Sequence, residues 1–134
     1  MTADDACPRH MQIGEVADRT ELSIKTIRHY DAVGLVTPSE RSAGGFRLYT
    51  EADVQRLLVI RRMKPLGFTL EEMKQLLDSL AVLSGGELDA QSRAGAADFV
   101  ARCHVRAQEN CRKLRTQLAY GEELTELLAE HRAP

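Results

Sequence analysis

The sequence predicts a mainly α-helical fold, in which a helix-turn-helix with a short hairpin precedes one long C-terminal helix. Two short amphipathic segments meet at a tight break within residues 12–34, which is typical of a helix-turn-helix. A turn-rich stretch at residues 35–49 predicts a hairpin. Residues 96–130 contain no proline and a single glycine, so they predict a helix far longer than the usual length of about 11–12 residues.

The first two helices are read from apolar residues at helical spacing. Ile13 and Val16 mark the apolar face of the first helix. Ser23 is the predicted N-cap of the second helix, whose apolar face includes Ile27 and Tyr30. Gly34 follows the last apolar position and predicts the end of that helix.

The hairpin is predicted from two short β-prone runs around a glycine-rich turn. Residues 35–37 (Leu-Val-Thr) would form the first strand and residues 46–49 the second, with the tip at residues 42–45. Arg41 and Arg47 stand on either side of this tip.

Two further helices begin at recognisable capping sequences. Thr50 is the predicted N-cap of a helix that ends near residues 65–67 (Pro-Leu-Gly). Thr69 and Glu72 form a capping box for the next helix. Its apolar face comprises Met73, Leu76, Leu77 and Leu80.

The long C-terminal helix carries a narrow apolar seam with 3-4 spacing. A long helix cannot bury such a seam by itself, so the sequence predicts pairing with a second copy. The predicted dimer-interface residues are Val100, His104, Ala107, Cys111, Leu114, Leu118 and Leu128. The domain organisation that follows is a disordered tail at residues 1–10, a helix-turn-helix module with its hairpin at 11–80, a linker at 81–95 and the dimerisation helix with a short tail at 96–134.

Composition excludes several classes of protein. The 134 residues are 43% hydrophobic and 28% charged, which disfavours a disordered chain. No run approaches the roughly 20 apolar residues of a membrane span, and the polar N-terminus lacks the apolar core of a signal peptide. Three cysteines without a secretion signal predict reduced thiols in the cytoplasm, and their spacing does not match a zinc site. We therefore expect no membrane partner, no metal and no cofactor.

The net charge of −2 hides a basic segment. Residues 25–64 contain eight basic and four acidic residues, a balance of +4, whereas residues 77–134 contain seven basic and nine acidic residues, a balance of −2. Phosphate binding requires a local density of lysine and arginine, so the charge distribution favours a nucleic-acid-binding module.

Several linked motifs resemble the opening of MerR-family transcription regulators. They are residues 13–17 (IGEVA), 23–31 (SIKTIRHYD), 34–38 (GLVTP), 41–49 (RSAGGFRLY) and 67–72 (GFTLEE). The resemblance covers residues 12–80 in the family's order. It implies a winged helix-turn-helix followed by a long antiparallel coiled-coil helix that forms a homodimer, in a bacterial cytoplasmic protein.

The resemblance also implies which residues contact DNA. The second helix would enter the major groove, and the hairpin would form a wing that holds the DNA backbone. Tyr30 would pack on the apolar face of the second helix, and its hydroxyl would donate a hydrogen bond to a phosphate. Arg61, Arg62 and Lys64 would lie near a second wing, although a solvated helix face is an equal alternative for Arg56 and Arg61. The predicted DNA-binding residues are Lys25, Thr26, Arg28, His29, Tyr30, Arg41, Arg47, Tyr49, Arg61, Arg62 and Lys64.

The family mechanism implies promoter distortion. Members bind double-stranded promoter DNA with an overlong spacer and deform it in response to an effector, so RNA polymerase is affected indirectly through the DNA. Ser92 stands near the helix start where family metal sensors have a ligand, and no cysteine follows Leu128, so we expect no thiolate site of that kind. We also expect no separate ligand-binding domain.

Two alternatives stay open. The chain could be an effector-independent, architectural DNA-binding protein of the same fold, or a thiol-responsive regulator that uses Cys103 or Cys111. These cysteines lie eight residues apart, about 12 Å along one helix, so a single helix cannot bring them onto one ion or into one disulfide. Packing of Cys111 and His104 in the seam is the simpler interpretation. No catalytic constellation accompanies them, so we do not expect an enzyme.

Overall fold

The computed structural model describes residues 10–86 and 89–132, which form two compact units divided between Leu77 and Asp78. The predicted disordered tail, including Cys7, lies outside the described residues except for His10. His10 is exposed, and its Nε2 atom lies 2.9 Å from a carboxylate oxygen of Glu40. No helix among the described residues is long and apolar enough to cross a membrane.

The helix-turn-helix consists of α1 (Ile13–Thr20) and α2 (Ile24–Ala32). Ser23 caps α2 as predicted, because its hydroxyl accepts a hydrogen bond of 3.0 Å from the backbone N–H of Thr26. Between the helices, Glu21 adopts the left-handed conformation, with φ of 59°. This single residue turns the chain sharply, so the second helix starts only three residues after the first ends.

The sheet differs from the predicted hairpin. Its three antiparallel strands are β1 (Met11–Gln12), β2 (Glu40–Arg41) and β3 (Arg47–Tyr49), in the order β1-β3-β2. The wing is the segment 40–49 that contains β2 and β3. The second predicted strand is confirmed in β3, whereas the first lies at residues 40–41 instead of 35–37.

Residues 35–37 form a loop in which Leu35 and Val36 are buried and Thr37 is exposed. Leu35 and Val36 are 7% and 2% exposed, and both donate their backbone N–H groups to the carbonyl of Tyr30, at 2.9 and 3.3 Å. Their apolar side chains therefore fill the core beside the end of α2, while their backbone hydrogen bonds are satisfied within the turn. The short apolar run at residues 35–36 indicates that its side chains are buried, but a buried loop has the same apolar sequence as a buried strand.

Two capped helices follow the wing. Helix α3 (Glu51–Met63) begins with a capping box between Thr50 and Asp53, and it continues into a 3₁₀ turn at Lys64–Leu66. Helix α4 (Leu70–Ser84) begins with the predicted box, in which Glu72 accepts from the N–H of Thr69 and donates its own N–H in return. These predictions are confirmed.

Asp53 joins the wing to α3. One of its carboxylate oxygens accepts hydrogen bonds from the N–H of Thr50 at 2.9 Å and from the N–H and hydroxyl of Ser39 at 3.2 and 2.7 Å. Arg56 donates to the other oxygen. The side chain is fully buried, so all of its hydrogen bonds are made within the protein.

The core of the first unit is mainly aliphatic, with Tyr30, Tyr49 and Phe68 as its buried aromatic residues, and it lies between β1, β3 and the faces of α1, α2 and α3. Burial of this apolar surface is the main favourable contribution to folding. The side chains that are fully or almost fully buried include Met11, Val16, Ile27, Val36, Tyr49, Val54, Leu57 and Ile60.

The second unit contains the long helix. Helix α5 (Ala90–Glu130) has 41 residues and begins at Ala90 instead of Ala96, and α4 runs to Ser84, so helical structure extends into the predicted linker from both sides. Asp89 caps α5 by accepting from the N–H of Ser92 at 2.6 Å, which lowers the pKa of Asp89. This cap was the missed signal for the helix start.

Arg93 holds the end of α4 beside the start of α5. Its guanidinium donates to the carbonyl oxygens of Val82, Leu83 and Gly85 at 3.2, 3.3 and 2.6 Å. Carbonyls at a helix C-terminus have no partners within the helix, so a guanidinium with several donors is well suited to satisfy them.

Candidate nucleic-acid interface

The exposed face of α2 carries the predicted recognition residues. Lys25, Arg28 and His29 are exposed, whereas Ile27 is fully buried on the opposite face. Thr26 is half-buried, and its hydroxyl accepts a hydrogen bond of 2.8 Å from Ser23. The sequence therefore separates α2 into a face that packs on the core and a face that presents cationic and polar side chains.

The two predicted tyrosines do not present their side chains to solvent. Tyr30 is 5% exposed, and its backbone carbonyl holds the 35–37 loop. Tyr49 is fully buried, and its hydroxyl finds no hydrogen-bond partner among the described residues. Burial raises the pKa of Tyr49. We therefore correct the prediction that Tyr49 contacts DNA, because its ring packs in the core and its hydroxyl cannot reach a phosphate.

Asp31 holds both wing arginines against the end of α2. One of its carboxylate oxygens accepts from Nε of Arg47 at 2.7 Å and lies 3.4 Å from an Nη atom of Arg41. The hydrogen bond that Arg47 donates to Asp31 raises the pKa of Arg47, which stays charged. The Asp31 side chain is 11% exposed, so the wing and the recognition helix meet at a nearly buried acid whose arginine partners still reach solvent.

A cleft of about 270 Å³ lies between α2 and the wing. Arg28 of α2 and Arg47 of the wing both line it, together with Phe46 at the wing tip, which is 66% exposed. The recognition helix and the wing therefore present cations to one concave surface. Concave surfaces lined by one sign of charge concentrate ligands of the opposite sign.

The basic residues of α3 have different surroundings. Arg61 donates to the carbonyl of Thr20 at the end of α1 at 2.8 Å and lies 3.8 Å from a carboxylate oxygen of Glu21. The guanidinium of Arg61 thus holds α1 to α3, which favours a structural role over a phosphate contact. Arg62 and Lys64 are exposed at the end of α3 and in the following turn.

Asp31 and Asp53 were not among the predicted site residues, because the prediction rested on the density of lysine and arginine. Both are acidic residues within a segment of net positive charge. An acidic residue in such a segment is a signal in the sequence, because its carboxylate can pair with a neighbouring arginine and hold it in place.

The predicted dimer and sensor residues all lie on α5. Val100, Ala107 and Cys111 are half-buried and His104 is exposed. Leu114, Leu118 and Leu128 are 41%, 61% and 58% exposed. Cys103 is also half-buried.

The chain resembles known regulators over most of its length. A family model described as MerR HTH family regulatory protein matches residues 11–80, and one described as MerR, DNA binding matches residues 54–120. The regulator ZntR of Escherichia coli (strain K12) is 47% identical over 66 residues, which are 49% of this chain and 47% of ZntR. In the first curated relatives the matched region spans 32% to 50% of their length.

Solved structures extend the likeness to both units. PbrR691 of Ralstonia metallidurans CH34, solved with lead(II), is 34% identical with a TM-score of 0.53, over 89% of this chain and 86% of that one. HiNmlR, solved on promoter DNA, shares the fold at 20% identity and a TM-score of 0.51, over 89% of this chain and 95% of that one. The chain belongs to the MerR family of helix-turn-helix regulatory proteins.

Proposed function

We propose that the chain acts as a homodimer, binds a specific promoter sequence and distorts that DNA in response to a signal. The observation that carries the proposal is the shared cationic cleft, in which Arg28 of α2 faces the same concave surface as Arg47 of the wing. The proposal includes an indirect effect on RNA polymerase, which would read the altered promoter geometry.

The geometry of the first unit supports a recognition helix in the major groove. An α-helix fits that groove, and Lys25, Arg28 and His29 are exposed on the face of α2 that is free of core contacts. Lysine and arginine at this position can donate to guanine or to phosphate. Arg47 uses Nε toward Asp31, which leaves its terminal amino groups for phosphate oxygens.

The second unit supports pairing with another copy. The seam leucines of α5 are about half exposed in the single chain, and a 41-residue helix with an exposed apolar stripe gains stability when a second helix covers that stripe. Antiparallel pairing would place two recognition helices on one DNA molecule, which requires a pseudo-palindromic site. The DNA-bound state in which HiNmlR was solved supports this use of the fold.

In vitro selection from a random-sequence duplex library tests sequence-specific binding. We expect enrichment of a pseudo-palindrome, and footprinting on it should show protection in two halves with enhanced cleavage at a distorted centre. The variant Arg28→Gln should lose enrichment, whereas Arg115→Gln on α5 removes the same charge from the other unit and should retain it. A wild-type protein that enriches no sequence would refute the proposal.

Promoter function is tested by transcription in vitro from a promoter that contains the selected site. The supporting result is an output that changes when the spacer between the polymerase elements is shortened by one or two base pairs. If the protein binds the site but the transcription output does not depend on spacer length, the protein acts by occupying the site and not by distorting the DNA. A thiol signal would show as a difference between reduced and oxidised protein that Cys103→Ser with Cys111→Ser abolishes.

A further inference from the structure

We propose that Asp31 is a positioning residue that fixes the wing against the recognition helix and thereby sets the DNA specificity of the protein. The inference rests on the proposed function, since it concerns how the same surface distinguishes one DNA sequence from another. Asp31 itself touches no DNA in this proposal, because it acts through Arg41 and Arg47.

The first step of the argument is the register of the wing. Arg41 and Arg47 are directly opposite each other in the antiparallel pair formed by β2 and β3. Directly opposed like charges destabilise a strand pair, since their Cβ atoms are only about 5 Å apart. A hairpin that carries two arginines at one paired position therefore needs a nearby counter-charge.

Asp31 supplies that charge from a different element. One oxygen of its carboxylate contacts Nε of Arg47 at 2.7 Å and Nη of Arg41 at 3.4 Å, so a single atom touches both strands. The Asp31 side chain is 11% exposed, whereas those of Arg47 and Arg41 are 33% and 50% exposed. The contact therefore joins a nearly buried acid to two arginines that still reach solvent.

The second step is the position of this contact along the wing. At its base the wing is held by pairing of β3 with β1, where Met11 opposes Tyr49, and by Asp53. Toward the tip, hydrogen bonds between Ser42 and Phe46 close the turn on itself. Asp31 connects the arginine-bearing part of the wing to α2, so it determines where those guanidiniums lie relative to the recognition helix.

The third step is the cost of an acid at this place. A negative charge beside an anionic ligand lowers long-range attraction, so charge alone predicts that Asp31 weakens binding to every DNA. Phosphate contacts fix the register in which a recognition helix meets the base edges. If Asp31 sets the position of the phosphate-binding arginines, its loss must reduce discrimination between sequences even though overall attraction rises. For a specific site, loss of the negative charge raises the affinity, whereas loss of the wing position lowers it.

The experiment measures fluorescence anisotropy with two labelled duplexes, the one enriched by the wild-type protein and one of random sequence. We expect Asp31→Asn to weaken binding to the enriched duplex by about tenfold, within the range of roughly 2- to 150-fold that coupled neighbours show. Binding to the random duplex should be unchanged or slightly tighter. Asp18→Asn, an equal charge change at an exposed position of α1, is the matched control and should not lower the ratio of the two affinities.

A double-mutant cycle tests whether Asp31 acts through Arg47. In an Arg47→Gln background, Asp31→Asn should change the affinity ratio much less than it does in the wild type. Equal effects in both backgrounds would overturn the proposal. It would also be overturned if Asp31→Asn tightened both duplexes in parallel, as a charge effect requires.

A folding defect of the variant and a failure of the proposed function can each be distinguished from a failure of the proposal for Asp31. If Asp31→Asn does not fold, Asp31→Glu replaces it, since this variant keeps the charge and moves the carboxylate by one methylene. A lowered affinity ratio with unchanged random-duplex binding supports the proposal, and an unchanged ratio overturns it. A wild-type protein without sequence preference refutes the proposed function itself, whereas a specific wild type with an equally specific Asp31→Asn refutes only the role of Asp31.

Discussion

Charged residues in the α5 seam should abolish dimerisation, and the structure gives the size of the effect. Leu114 and Leu118 are 41% and 61% exposed, so together they offer about one leucine side chain of surface per subunit. Complete burial of a leucine contributes about 2 kcal/mol, so the two copies in a dimer contribute about 4 kcal/mol. This corresponds to a dissociation constant raised about a thousandfold. Glutamates also add the cost of burying charge, so we expect Leu114→Glu with Leu118→Glu to be monomeric at micromolar concentration.

Sedimentation equilibrium over a range of protein concentrations measures this change. The control is Thr116→Glu with Ala119→Glu, which adds the same charge to exposed positions of the same helical turns outside the seam. We expect the control to keep the wild-type association constant. A dimeric seam variant, or a control that dissociates equally, would show that the interface lies elsewhere.

Four further predictions follow from particular side chains. Arg47→Gln should weaken binding to all duplexes and reduce the magnitude of the salt slope of log K by about one, and an unchanged slope would contradict a phosphate contact. Tyr49→Phe should leave DNA affinity unchanged and stabilise the fold by about 1 kcal/mol in denaturant titration, because it removes a buried hydroxyl without a partner. Since the pKa of Tyr49 is raised in the folded state, the unfolded chain ionises first, and wild-type stability should fall above about pH 10, with a smaller fall in Tyr49→Phe. The double variant Cys103→Ser with Cys111→Ser should retain DNA binding and promoter output under both reductant and oxidant. If the wild type responds to oxidant and the double variant does not, the cysteines form a thiol sensor.

Local signals in the sequence predicted the helices well. Ser23, Thr50 and Thr69 all cap helices in the structure, because an N-cap depends on residues within three positions of each other. The start of α5 was missed although Asp89 is a good cap, since the small residues that follow it show no apolar periodicity.

Contacts between distant residues could not be read in the same way. Strand β1 has only two residues, and it exists because Met11 and Gln12 pair with β3 nearly forty positions later. Charge density located the cationic face of α2, but it gave no sign that Asp31 holds Arg47 or that Arg61 holds the end of α1. The aromatic character of Tyr49 was compatible with both a contact and a core position, and only its burial decides between them.

The buried carboxylate of Asp53 has a consequence for how the wing can move. It joins Ser39 to the first turn of α3, fourteen positions along the chain, and so closes the segment between them into a loop tied at its base. Changes of wing conformation are therefore confined to the part beyond this tie and need not disturb α3. An asparagine could not replace Asp53, because its amide nitrogen would face donors on one of the two sides where the carboxylate now accepts. The base of the wing is thus anchored twice, by the pairing of β3 with β1 and by the buried side chain of Asp53.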